Sequence, residues 1–193
     1  MHKHLPNLYV FLDQYNNKIF ENNNTNMGII YRNYKDNKRE KELAKIAKAC
    51  KKKRYQLFVS NDLKLALKAK ADGIYIPSFN KSKKFLNFEM KNFVIIGSAH
   101  NYKEIQEKIS QRCKGIFISP IFNVKKSKTY LDVHKFNSLA CLRNVNILAL
   151  GGINEKNIRR LKLLNNMKGF GAIGMFKKKP AFKRPVFIKK KFF

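Results

Sequence analysis

Eight short apolar runs, separated by segments of helical period, constrain this chain more than any other feature. The runs are LYVFLD (8–13), GIIYR (28–32), QLFVS (56–60), GIYIP (73–77), FVIIGS (93–98), GIFISP (115–120), NILALGG (146–152) and GFGAIGMF (169–176). They are apolar throughout rather than alternating, as strands covered on both faces must be. Between most of them lie helix-like segments. REKELAKIAKACKKK (39–53) places Leu43, Ile46, Ala47 and Cys50 on one face. NDLKLALKAKA (61–71) opens on a capping residue and buries Leu63, Ala66 and Leu67. NYKEIQEKIS (101–110) and NEKNIRRLKLL (154–164) also start with Asn and carry an apolar stripe. A strand–helix order repeated eight times predicts a (β/α)8 TIM barrel. A doubly wound sheet alternates in the same way but usually with fewer strands. Segment 14–26, QYNNKIFENNNTN, is weak as a helix, so the first helix is short or replaced by a loop. The last helix is replaced by a basic tail. The expected organisation is one barrel over residues 1–176 and a tail over 177–193.

Composition narrows the class. The 193 residues suffice for one domain with a full core. Hydrophobic residues are 44% of the chain, enough to fold rather than stay disordered. Cys50, Cys113 and Cys141 are widely spaced and odd in number, with no CxxC pair. They read as buried or half-buried free thiols, which argues against zinc or a disulfide framework. No apolar run reaches the length of a membrane span. The N-terminus MHKHLPNLYVFLD lacks the apolar core and cleavage site of a signal peptide, and a cytoplasmic protein is expected.

The formal charge of +30 invites a nucleic-acid reading. The positive residues are spread along the whole chain, however, and most are Lys; Asn is also frequent. Both have AT-rich codons, so a low-GC genome accounts for the composition, and binding to nucleic acid is expected to be nonspecific only. The clearest basic cluster, KKKPAFKRPVFIKKKFF (177–193), mixes Lys with Phe around Pro180 and Pro185. It either packs over the barrel exterior or touches an acidic surface. His2, His4 and His134 have no motif context and read as surface residues.

Chemistry in such barrels collects at the C-terminal ends of the strands. Those ends read Asp13, Arg32, Ser60-Asn61-Asp62, Pro77-Ser78, Ser98-Ala99-His100, Ser119-Pro120, Gly151-Gly152 and Gly174 onward. Gly151 and Gly152 let the backbone turn sharply and approach a ligand. A helix after them would point free N–H groups into the mouth, and strand eight would add more amides, forming a phosphate site. The alternative is a tight turn and nothing more. Asn61 and Asp62 either cap a helix, or Asp62 ligates Mg²⁺ shared with substrate phosphate. Arg32 can pair with a pyrophosphate through its planar fork. A Lys in NVKKSKTY (123–130) could close over the same group. His100 is a general acid or base, or a hydrogen-bonding group at a helix start.

FVSNDLKLALKAKADGIYIP, IIGSAHNYKEI, GIFISPIF and ILALGGINEKNI…GFGAIGMF together resemble the thiamine phosphate synthase family and its thiazole tautomerase relatives. The resemblance covers roughly residues 27–176. It implies a (β/α)8 barrel that joins hydroxymethylpyrimidine pyrophosphate to thiazole phosphate and releases pyrophosphate. The family reaction passes through a dissociative, cation-like step, with Mg²⁺ and basic groups stabilising the leaving group. By resemblance, Arg32 is the pyrophosphate arginine, Asn61 and Asp62 are the Asn-Asp pair with Asp62 on Mg²⁺, and Ser98 is the pyrophosphate serine. Lys128, or else Lys126, stands near the loop lysine. Gly152, next to Gly151, matches the amide on the thiazole phosphate, with the strand-eight backbone of Gly174, Met175 and Phe176 nearby and His100 at the same mouth.

The chain also departs from the pattern. The family's QLRxK reads IYRNYK, which puts Ile30 at the Gln position and displaces Lys35 by one. The second Mg²⁺ carboxylate falls at Asn80, and PTxTK is replaced by NVKKSK. The other readings are a tautomerase-like enzyme that needs only the phosphate end and His100, and a non-catalytic barrel that binds a phosphorylated ligand or associates with nucleic acid through its basic charge. Oligomeric state has no sequence signal.

Overall fold

A computed structural model of the chain describes residues 4–21, 26–34, 36, 38–85, 93–125, 127, 129–141 and 145–172. In chain order the elements are β1 (Leu8–Leu12), α1 (Asn17–Phe20), β2 (Met27–Tyr31), α2 (Arg39–Lys53), β3 (Gln56–Ser60), α3 (Leu63–Lys68) and β4 (Gly73–Ile76). Then follow β5 (Val94–Ala99), α4 (Tyr102–Ser110), β6 (Gly115–Ile118), α5 (Asp132–Leu139), β7 (Asn146–Leu150), a 3₁₀ helix (Ile158–Leu163) and β8 (Met167–Ala172). The strands pair in parallel in chain order, and β8 closes on β1 through Leu8↔Phe170, Tyr9↔Gly171 and Val10↔Ala172. This is the expected (β/α)8 barrel.

Strand alternation divides the core into two layers. Tyr9, Phe11, Ile30, Phe58, Tyr75 and Phe117 pack together inside the barrel. Val10, Ile29, Val59, Ile74 and Ile116 belong to the outer layer, with Leu43, Ile46, Leu65, Ile105 and Phe136 of the helices. The interior is filled by rings: Tyr9 meets Phe117 edge-on at 5.0 Å between centroids, and Phe11 meets Tyr75 at 5.4 Å. A lumen plugged in this way leaves room for chemistry only above it, at the C-terminal mouth.

The helices follow from their end signals. In α2, Glu40 and Glu42 lie in the first turn and Lys51, Lys52 and Lys53 in the last, complementing the helix dipole, and Arg54 ends it in the left-handed region at φ 56°. In α4, Asn101 caps the helix by accepting from the Glu104 amide, while Glu104 reaches back one residue past the cap to accept from the His100 amide.

Three expectations need correction. The segment after β7 is not an α-helix: it opens as turns and becomes a 3₁₀ helix only at Ile158. In α3 the buried residues are Leu65 and Ala66, while Leu67 is 37% exposed, because the helix starts at Leu63 and its inner face is rotated. Cys141 is exposed, although Cys50 and Cys113 are buried thiols as expected. The helix α5 carries one buried side chain, Phe136, too weak a stripe to declare itself in the sequence. The tail 177–193 lies outside the described residues.

Candidate active site at the barrel mouth

One further step of the strand alternation carries each inner face to the mouth. Ile30 is followed on the same parity by Arg32, Phe58 by Ser60, Ile96 by Ser98, Phe117 by Ser119 and Leu150 by Gly152. Ser60, Ser98 and Ser119 are all buried. Ser98 Oγ accepts a 2.8 Å hydrogen bond from the Tyr75 hydroxyl. Burial pushes the Tyr75 phenol up to about 12, with the Ser98 bond working against it, so Tyr75 stays a neutral donor. That leaves the Ser98 hydroxyl hydrogen available to a ligand.

Arg32 follows β2. Its Nε lies 3.8 Å from Asp13 Oδ1, and its guanidinium carbon sits 5.6 Å from the Phe11 ring centroid. The loose pairing leaves N–H donors that could face an anion.

The Asn61–Asp62 turn meets the capping expectation at Asp62 and not at Asn61. Asn61 takes a left-handed conformation, φ 59°, donates its N–H to Tyr75 O at 2.9 Å and accepts from the Asn80 amide. It is therefore not the helix cap. Asp62 is: Oδ1 accepts from the Leu65 N–H at 2.9 Å. The other carboxylate oxygen, Oδ2, receives the Arg39 guanidinium at 2.6 Å. Above this turn Tyr34 bonds Ser60 Oγ at 2.7 Å and meets the Phe79 ring at 6.5 Å; Phe79 is 68% exposed.

The loop after β4 is held from below by α4. Lys108 is fully buried, and its Nζ donates to Asn80 O at 2.7 Å and Gln111 Oε1 at 2.9 Å. Gln111 Nε2 donates to Asn80 O and Ser82 O. The Lys108 stem lies over Gly97, where a Cβ would come within 2.8 Å of its Cδ. Burial lowers the Lys108 pKa. The clamp fixes Asn80, and through it Asn61.

His100 lies at the mouth end of β5. Its Nδ1 donates to Ser119 O at 2.7 Å, a carbonyl that can only accept, so in the neutral ring Nε2 carries the lone pair and faces Ser78 Oγ at 3.1 Å.

Gly151 and Gly152 have φ of 93° and 72°. A Cβ on Gly152 would fall 2.4 Å from Phe122 O, and one on Gly151 2.8 Å from Pro120 Cα. Close approach of the β6 loop thus requires both glycines, whatever they bind. The amides expected to form a helix N-terminus are partly used by side chains. Asn154 N–H donates to Asn157 Oδ1 at 2.8 Å, and Lys156 N–H to Asn154 Oδ1 at 2.9 Å. Lys35, Lys126, Lys128, Gly174, Met175 and Phe176 lie outside the described residues.

Arg39, Tyr34, Tyr75 and Lys108 were not anticipated as site residues. Tyr75 had a signal, the inward parity two residues before Pro77. Arg39 had none, since a helix-opening arginine in so basic a chain reads as solvated. Among the described residues no group of three or more His, Cys, Asp and Glu is placed to hold a metal, and no helix is long and apolar enough to cross a membrane. Both Asp62 oxygens are engaged, one by the Leu65 amide and one by a guanidinium, and Asn80 beside them brings an amide rather than a carboxylate. This donor set does not fit Mg²⁺.

A family model described as thiamine monophosphate synthase (TMP-TENI) matches residues 23–173. The chain belongs to this family. A thiamine-phosphate synthase of Prochlorococcus marinus subsp. pastoris is 35% identical over 125 residues, 63% of this chain and 36% of that protein. One from Clostridium perfringens strain 13 is 27% identical over 144 residues, covering 71% of this chain and 69% of that protein. The alignments with the Prochlorococcus relatives span about a third of those relatives' length. Among solved structures, a thiamine phosphate pyrophosphorylase from Pyrococcus furiosus superposes with TM-score 0.69 at 18% identity, covering 87% of this chain and 85% of that one. The citrate synthase SbnG superposes with TM-score 0.61 at 12% identity. Likeness at that level shows the barrel and does not choose its chemistry.

Proposed function

We propose that this chain joins hydroxymethylpyrimidine pyrophosphate to thiazole phosphate with release of pyrophosphate, as a cytoplasmic enzyme of thiamine biosynthesis. The observation that carries the reading is the inward row of Arg32, Ser60, Ser98 and Gly152 above a ring-filled barrel, in a chain of this family. In this reading Arg32 and the Ser98 hydroxyl take the pyrophosphate, and Gly152, with Gly151 shaping the turn, brings its amide to the thiazole phosphate. Asn61 lines the same mouth. Lys128 is proposed to cover the leaving group, and the backbone of Gly174, Met175 and Phe176 to complete the phosphate end. The bond to pyrophosphate breaks with its electron pair on the leaving group, so donors aimed at that group lower the barrier. Tyr75 supports this by occupying Ser98 as an acceptor and leaving it to donate. Mg²⁺ enters no step, because the residues around Asp62 do not fit it. Binding to nucleic acid is assigned no specific role.

Incubation of the full chain with both substrates tests the reading by pyrophosphate release. Turnover that Arg32→Gln and Ser98→Ala each lower by roughly tenfold or more is expected, equivalent to one charge-assisted hydrogen bond. Folded protein that releases no pyrophosphate, with or without Mg²⁺, would sink it. One observation favours a second reading, proton transfer on a phosphorylated thiazole: the Ser119 carbonyl fixes the His100 tautomer and leaves a lone pair at the mouth. Loss of isomerisation in His100→Gln, with no pyrophosphate release in wild type, would select it.

A further inference from the structure

We infer that Arg39 is a pyrophosphate-binding residue of this chain and takes the place that a divalent cation would hold, so that pyrophosphate binds without metal. The inference rests on the mouth being a pyrophosphate site. Asp62 is the one carboxylate on the β3 turn. Its Oδ1 is used by the α3 amide and its Oδ2 by Arg39, at 2.6 Å. Asn80, across from it, offers no charge: its Nδ2 donates to Asn61 Oδ1 and its Oδ1 accepts from the Ser82 N–H. The lysine clamp beneath the loop fixes that orientation.

Charge decides between the two cations. Asp62 and Arg39 together sum to zero. A divalent ion added on Asp62 would have to share its one carboxylate with the guanidinium already on Oδ2, and Asn80 across from it adds no charge. The guanidinium has five N–H donors in a planar fork, of which the Asp62 contact uses one. The rest match phosphate oxygens in geometry and charge. The Arg39 side chain is 33% exposed, so it is reachable. Asp62 thus caps the helix with one oxygen and meets the guanidinium with the other.

The test is calorimetric titration of the full chain with sodium pyrophosphate, first in EDTA and then in excess Mg²⁺, with thiamine phosphate titrated alongside. Pyrophosphate is expected to bind in EDTA, with Mg²⁺ changing its Kd by no more than about threefold. Arg39→Gln should weaken binding about tenfold, the value of one charge-assisted contact, and Arg39→Lys should recover part of it. Asp62→Asn is the sharper variant. It keeps the capping oxygen and removes a negative charge beside the ligand, so binding in EDTA should persist or tighten; a metal ligand so changed would lose it. Thiamine phosphate binding together with pyrophosphate binding that appears only with Mg²⁺ would overturn the role of Arg39 and leave the proposed function standing. Arg39→Gln protein that melts as a folded chain and binds pyrophosphate as tightly as wild type would do the same. Failure of both ligands to bind in either buffer would overturn both readings.

Discussion

Replacing Asp62 separates its two structural bonds, and the structure sets how much each is worth. Asp62→Ala removes a helix cap, which costs about 1 kcal/mol, and a partly exposed ion pair to Arg39, which contributes at most about 1 kcal/mol. Asp62→Asn keeps an oxygen for the Leu65 amide and loses only the pair. With 193 residues and an unfolding entropy of about 2.1 cal/mol/K per residue, 1 kcal/mol shifts Tm by about 2.5 °C. Thermal melts in EDTA should therefore fall by about 5 °C for Asp62→Ala and about 2 °C for Asp62→Asn. Arg39→Gln should match Asp62→Asn, and the double variant Arg39→Gln/Asp62→Asn should fall no further than either alone, since both remove one interaction. Equal losses for Asp62→Asn and Asp62→Ala would refute the cap. Additive losses in the double variant would refute the pair.

Three further outcomes are expected. Gly152→Ala places a methyl 2.4 Å from Phe122 O at φ 72°, so left-handed strain and overpacking together cost about 3 kcal/mol; a Tm drop under about 3 °C would show that the β6 loop yields. Burial raises the Cys50 and Cys113 thiols from 9.0 to about 12. The folded chain therefore keeps protons that the unfolded chain releases, so their contribution is whole below pH 9 and falls above it, by about 1.4 kcal/mol per thiol at pH 10. Lys108, lowered by burial, pulls the other way, and urea melts of Cys50→Ala/Cys113→Ala should show a flatter decline from pH 9 to 10 than wild type; parallel declines would contradict it. Lys108→Met leaves Gln111 Oε1 without its donor in a buried setting, costing about 1–3 kcal/mol, and Lys108→Met/Gln111→Leu, which also strips Asn80 O and Ser82 O of their donors, should fall further in the same melts.

The barrel was legible because both-face burial writes continuous apolar runs. QLFVS coincides with β3, and REKELAKIAKACKKK with α2, because the latter's apolar stripe and charged ends agree. The failures came where local and tertiary signals part. NEKNIRRLKLL has a helical stripe and an Asn start, yet Asn154 and Asn157 bond each other and the Gly152 carbonyl, tightening the turn before the helix can begin. Leu67 was assigned to the core on spacing alone; starting α3 one residue after the Asp62 cap rotates that stripe outward. The inward row of Arg32, Ser60 and Ser98 followed from parity once the strands were known. What parity cannot give is a partner from another loop.

Asp62 shows why that gap matters in this chain. With 42 basic residues to 12 acidic ones, carboxylates are the scarce species. Asp13 meets Arg32, Glu40 meets Lys68, Glu42 meets Lys45, Glu107 meets Lys81 and Asp132 meets Arg160. Most of these pairs are exposed and worth little individually. Their pattern nevertheless shows how readily an acid in this sequence finds a guanidinium or ammonium neighbour. A carboxylate motif that reads as a metal ligand in a balanced composition is in direct competition here with side chains tethered at high effective concentration. At Asp62 the tethered cation is already seated and Asn80 stands across from it, so in our proposal the same Asn-Asp sequence supports a guanidinium-based anion site. A motif specifies which ligand atoms are available; the surrounding charge decides which cation takes them.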